Sequence, residues 1–181
     1  SVSTVLSVIN DLGDLRKTAR GSQDALAVIA NYAAPIGDMI TLNDLIAQGI
    51  SDPGLVNDVR TLNSLSLAKD EAAQQRALFF HTFTDQFFGD GEQQALTTAQ
   101  SEELSDTASF ETTATPAERK SFITVVAGRG VDLAEGIEDL ILIDGNPLDI
   151  TQVDGISLNK APARWYSAMS DKIDKMQTVE L

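Results

Sequence analysis

The chain has 181 residues, enough for one domain with a real core and no need of covalent staples, and 43% of it is apolar but only 6% aromatic. Its net charge of −14 argues against non-specific nucleic-acid binding, which needs a basic surface, and against docking on anionic lipid. With no Cys and one His, it excludes disulfides, thiol nucleophiles, Cys–His dyads and His-based metal clusters.

The first segment, 2–20, places Val5, Ile9, Leu12 and Leu15 on one helical face and stops at Gly21. A second helix opens at "SQD" (22–24), whose polar side chains suit an N-cap, and runs to about Gln48. Its stripe is Leu26, Ile29, Ala33, Ile36, Ile40, Leu42 and Leu45. Pro35 inside it predicts a kink, and Gly49 closes it. The longest uncharged run, Ala25–Gly37, is too short to span a bilayer.

"SDPG" predicts the next start, with Asp52 as N-cap and Pro53 at the first helical position. From there to Phe88 the chain has no internal Pro, and steps of four and three give a seam. It reads Leu55, Val59, Leu62, Ser66, Lys69, Ala73, Arg76, Phe80, Phe83 and Phe87. The helix is expected to end at "GDGE" (89–92), with Asp90 capping its successor. That successor, to Thr113, has Leu96, Leu104 and Phe110 as its large anchors. "TPAER" (115–119) is a capping box, with Thr115 at N-cap and Glu118 at N3. The short helix after it carries Phe122, Ile123 and Val126 and ends at "GRG" (128–130). A further helix covers about Val131–Ile143, "DGNP" (144–147) is a turn, and the closing helix spaces Trp165, Met169, Ile173, Met176 and Val179. Long helices joined by short loops, with no period-2 pattern, predict an all-α antiparallel bundle. It is four-helix-bundle-like, or two stacked bundles sharing the long helix.

No catalytic or cofactor motif stands out. "GRG" and "GDG" follow no strand and read as turns, the abundant acids read as a solvated face, and His81 in "FFHTF" reads as a helix-surface residue. The chemistry that needs explaining is the centre of the long seam. Lys69 and Arg76 lie seven residues apart, so they share one helix face about 10 Å apart. A buried cation has to be paired. Three readings stay open. Each cation pairs with an acid, with Asp38, Asp44, Asp70 and Glu71 as candidates, or Lys69 reaches water. Arg76 binds an anion through its planar fork, with Gln75, Gln74 and Ser66 adding donors. Or the polar centre sets helix register.

"SLAKDEAAQQRALFF" (66–80) resembles the signature helix of the nitrate- and nitrite-sensing (NIT) family, a Lys–acid pair followed by Gln–Gln–Arg–Ala. "ATPAERKSF", "VAGRGVDLAE" and "WYSAMSDKIDKMQTVE" are similar to its actinobacterial sensor-kinase members, collinearly from about Asp11 to Leu181. The family's N-terminal "LQxER"-like motif has no counterpart; Arg16 and Arg20 of "LRKTAR" stand in a different context. The resemblance implies one helical sensor domain over 1–181, excised from a transmembrane histidine kinase and lying on the extracytoplasmic face of the bacterial plasma membrane. The family's upstream helices and the flanking membrane helices are expected to lie outside this chain. It implies a small anion such as nitrate or nitrite as partner, no cofactor, and a homodimer in the full-length receptor. It further implies that Arg76 corresponds to one of the family's nitrate-contacting arginines, and the candidate ligand-binding set is Arg76, Gln75, Lys69 and Ser66. The competing reading is a ligand-free protein-interaction or dimerisation module at the cell surface.

Overall fold

The structure, a computed structural model, describes residues 13–17, 19, 24–49 and 51–180, with the side chains of 42–44 and 46–48 excepted. Of the first predicted stripe, Val5, Ile9 and Leu12 lie outside the described residues. Six α-helices follow in order: α1 (Ala25–Gln48), α2 (Pro53–Asp85), α3 (Glu92–Thr113), α4 (Pro116–Val125), α5 (Arg129–Asp144) and α6 (Ala161–Glu180). Two 3₁₀ turns, Pro147–Gln152 and Leu158–Lys160, join α5 to α6. The described residues hold no strand, and the fold is an all-α helical bundle.

The helix starts follow local chemistry. Asp24 Oδ1 accepts from Ala27 N–H at 3.1 Å and caps α1, which continues through Pro35. Asp52 accepts from Gly54 and Leu55 N–H and starts α2 with Pro53 at its head. Thr115 and Glu118 form the full capping box of α4. One expectation fails between α2 and α3. The long helix stops at Asp85, three residues early, because Gln86 turns left-handed at φ 64° and donates its N–H to Thr82 O. Asp90 does not cap α3; Gly91 is the N-cap and offers no side chain. The Glu92 carboxylate instead accepts from Gly89 N–H at 2.8 Å and from Thr82 Oγ1 at 3.2 Å, tying the turn to both helices.

Helix α2 is the spine, packed against α1, α3 and α6. It runs antiparallel to α3, as Asn57 meets Thr113, Gln75 meets Glu103 and Thr82 meets Glu92. It also runs antiparallel to α6, as Lys69 meets Glu180 and Arg76 meets Ser170. The residues α2 buries are Thr61, Leu65, Ala68, Ala72, Gln75, Phe79 and Thr82 at the four–three spacing, with Leu78 and Phe83 beside them. This seam is one residue out of phase with the predicted one, a rotation of about 100°. Leu55, Leu62 and Phe80 are consequently 40–50% exposed. Small residues at 61, 68 and 72 let neighbouring backbones come close, while the larger Leu62 and Phe80 are left at the edge. The cations therefore flank the buried seam and do not occupy its centre.

Packing corrects three further anchors. Leu104 is 66% exposed, and the buried stripe of α3 passes through Leu96, Ala99, Glu103 and Phe110. Ile123 of α4 is exposed, whereas Phe122 packs on Phe110 at 5.1 Å between ring centroids. Leu45 near the end of α1 is also exposed. The core centres on Trp165, whose indole lies edge-on to Phe79 and Phe83.

Candidate functional site: the polar faces of α2 and α6

The four predicted residues divide among three places. At the C-terminal end of α6, Lys69 pairs with Glu180 and donates to Gln177 Oε1 at 2.9 Å. Ser66 Oγ donates to the other oxygen of the same Glu180 carboxylate at 2.9 Å. This latch places a cation at the negative end of the α6 dipole, where charge and dipole agree. Three of the four acids expected as partners, Asp38, Asp70 and Glu71, do not serve. Asp38 is exposed, Asp44 has a side chain outside the described residues, and Asp70 and Glu71 turn elsewhere. Those last two receive the Gln74 amide, at 3.1 and 3.2 Å. Burial, then repulsion from Glu102, Asp70, Asp106 and Glu103, pushes the Glu71 carboxyl up to about 7. Burial also raises Asp70 and Asp106 above the ordinary carboxylate range.

Arg76 makes a different set of contacts. Its Nη1 donates to Ser170 Oγ at 3.0 Å, and its guanidinium carbon stands 4.9 Å from the centre of the Tyr166 ring. Its backbone carbonyl accepts from Trp165 Nε1 at 3.0 Å, so α2 is fixed to the core at the residue whose side chain faces outward. Among the described residues Arg76 makes no ion pair. The guanidinium is half-buried at the edge of the α2–α6 interface, beside the half-exposed Tyr166 and Phe80 rings. A weakly hydrated planar cation on an aromatic face keeps donors free for an oxyanion.

Gln75 points inward. It is fully buried and its Nε2 donates to Glu103 Oε2 at 2.7 Å. Glu103 Oε1 meets Lys172 Nζ of α6 at 2.7 Å, and Lys172 stands 3.6 Å from Glu138 Oε2 of α5. Burial opposes the Lys172 charge, but Glu138 and Glu103 outweigh it and hold the ammonium above its ordinary range. Burial, reinforced by Glu103 and Glu135, outweighs Lys172 and pushes the Glu138 carboxyl up to about 8. His81 is only partly exposed and its Nδ1 lies 2.8 Å from Glu92 Oε1, so it is held by the α2–α3 turn and is not a bare surface residue.

The α6 partners are the residues that sequence reasoning missed. Tyr166, Ser170, Gln177 and Glu180 repeat at heptad spacing along one face of α6. Lys172 sits within the stripe Trp165, Met169, Met176, a cation in an apolar row, which is the same kind of signal that drew attention to α2. Two apolar cavities of 300 and 270 Å³ lie between α1 and α2, against His81 and Phe80 and against Tyr32 and Gln74. A third, of 350 Å³, borders Glu103, Glu138 and Lys172. Arg76 lines none of these three. No group of His, Asp and Glu among the described residues is suited to hold a metal ion, and no helix there is long and apolar enough to cross a membrane.

A family model described as nitrate and nitrite sensing matches residues 1–181, the whole chain. No curated protein and no solved structure matches.

Proposed function

The chain belongs to the nitrate- and nitrite-sensing family, and from that premise we propose that it is the extracytoplasmic input domain of a transmembrane histidine kinase that responds to a small oxyanion at Arg76. The observation that carries this reading is the state of the Arg76 guanidinium. In a chain of net charge −14 it has no carboxylate partner among the described residues, while Lys69 and Lys172 both do. Nitrate and nitrite are planar, and two guanidinium N–H groups can meet two of their oxygens side by side. Ser170 Oγ, 3.0 Å from Nη1, would share the anion in this reading. Gln75, Lys69 and Ser66 then support the site through the helix pair and need not touch the ligand.

Signalling follows from where the contacts fall. Arg76 is on α2 and its partners Ser170 and Tyr166 are on α6. An anion that draws the guanidinium from Ser170 changes how α2 holds α6, and the Lys69–Glu180 latch at the end of α6 feels that shift. The ligand drives the change only by the difference in its affinity for the two arrangements. Titration calorimetry with nitrate and with nitrite, on the domain and on Arg76→Ala, tests the reading. It predicts a saturable heat that the substitution removes; equal heats in both proteins, or none in either, would sink it.

A ligand-free interaction module is the second reading, favoured by the exposed row Leu55, Leu62 and Phe80 on α2, one face of a helix 40–50% open. Two copies meeting there would give a homodimer. Sedimentation of Leu62→Glu beside the parent chain decides it, since a dimer through this row dissociates and a monomer is unaffected.

A further inference from the structure

A bare oxyanion would use the Arg76 fork and leave its surroundings unused. One turn further along α2 stands Phe80, 42% exposed, and across from it on α6 stands Tyr166, 49% exposed. The two rings meet edge to face with centroids 5.9 Å apart, and the Arg76 guanidinium carbon lies 4.9 Å from the centre of the Tyr166 ring. Cation and rings thus form one contiguous shelf at the α2–α6 seam. Apolar side chains scattered singly over a surface are ordinary, whereas two aromatic rings in contact beside a cation form a patch that a ligand can cover. The hydrogen bonding shows which part of the fork is open. Nη1 is taken by Ser170 Oγ. Nε and Nη2 make no hydrogen bond among the described residues, and neither is one of the buried atoms there that lack a partner. Their N–H groups lie side by side on one edge of the planar fork, at the spacing that the two oxygens of a carboxylate match. An exposed ion pair contributes little on its own, because water competes for both charges. Apolar area taken out of water beside it adds to the affinity.

We infer that the Arg76 site takes aromatic monocarboxylates, of which benzoate is the simplest. The carboxylate accepts from Nε and Nη2 while the ring lies against Phe80 and Tyr166. This rests on the reading of Arg76 as the group that meets a ligand, and it adds Phe80 as the residue that sets the preference among ligands. The apolar cavities between α1 and α2 and the one beside Lys172 do not reach Arg76. The ligand therefore keeps one side in water, and binding falls in the millimolar range.

The test is titration of isotope-labelled 181-residue chain with sodium benzoate, sodium acetate, sodium nitrate and benzamide at neutral pH and one fixed ionic strength. The readout is the set of amide shifts together with the Arg76 Nε–H resonance. Benzoate should give saturable shifts at Arg76, Phe80 and Tyr166 and bind about tenfold tighter than acetate. Benzamide, which has the ring and no charge, should give none that saturate. Arg76→Ala should abolish the benzoate shifts. Phe80→Ala should bring the benzoate-to-acetate ratio down to about threefold or less. Should that variant fold poorly, the ligand series on the parent chain decides alone. Nitrate binding that depends on Arg76, with benzoate no tighter than acetate, would overturn this inference and leave the Arg76 reading standing. Benzoate binding that depends on Arg76, with no response to nitrate, would support it and remove nitrate as the ligand. Benzoate shifts that survive in Arg76→Ala, benzamide binding as well as benzoate, or a ratio unchanged in Phe80→Ala would each overturn it.

Discussion

Lys69 and Arg76 stand on the same face of α2, seven residues apart, and both reach α6, yet one is closed and the other open. Lys69 meets a carboxylate whose side chain is 7% exposed, with Ser66 and Gln177 completing the set. Arg76 meets a hydroxyl and an aromatic face. The backbone inverts this order: α2 is locked to the core at Arg76 through Trp165, whereas the Lys69 end is held by side chains alone. The difference teaches that a cation beside a helix seam can do two jobs. Where no backbone contact ties the two helices, a paired lysine serves as the fastener. Where an indole already fastens the backbone, the arginine side chain meets only a hydroxyl and an aromatic face.

The contrast can be broken most severely at its apolar anchor. Trp165→Ala removes a fully buried indole and the hydrogen bond to the Arg76 carbonyl, and should lower the unfolding free energy by about 3–5 kcal/mol in urea. A second test uses pH, because Glu71 lies between the two cations in sequence and pairs with neither. Its carboxyl is pushed up to about 7 from 4.5, so between those values the folded chain holds a proton that the unfolded chain has lost. Stability must therefore fall as pH rises from 4.5 to about 7, and Glu138 extends the same trend to about 8. Urea midpoints measured across that window should decline, and Glu71→Gln should flatten the lower part; a flat parent curve would remove the claim that burial raises these two carboxyls. Next in size, Glu180→Ala opens the latch and should cost about 1–2 kcal/mol, with Ser66 and Lys69 both losing their acceptor. The smallest effect belongs to Arg76→Ala, which should shift stability by less than about 1 kcal/mol, because no buried charge is left unpaired when it goes. If Arg76→Ala instead costs as much as Glu180→Ala, the two ends are alike and the distinction fails.

Much of this fold was legible because it is written locally. Asp52–Pro53 and Thr115–Pro116–Glu118 start their helices as their chemistry requires, since a cap needs only neighbouring residues. The phase of the α2 seam was not legible. Two four–three rows one residue apart both carry Leu and Phe, and the one that is buried passes through Ala68 and Ala72, both fully enclosed, which is tertiary information. The same limit hid Glu103, buried where Leu104 was the expected anchor, because its burial depends on Gln75 and Lys172 from two other helices. Among the candidate site residues, Arg76 stood out by its residue type and place in the sequence, and the structure puts it beside Ser170 and Tyr166 with no carboxylate partner among the described residues. That Lys69 and Ser66 share Glu180, and that Gln75 faces the interior, depends on contacts more than ninety residues away in sequence for the first pair and on helix rotation for the last.

The central claim is that Arg76, and not the paired cations around it, is the group that meets a ligand. Titration of nitrate into the domain, beside Arg76→Ala and Lys69→Ala, tests it most directly. A saturable heat in the parent chain, retained by Lys69→Ala and absent from Arg76→Ala at an unchanged urea midpoint, is the predicted result. A heat that survives in Arg76→Ala would contradict it, as would no heat in any of the three.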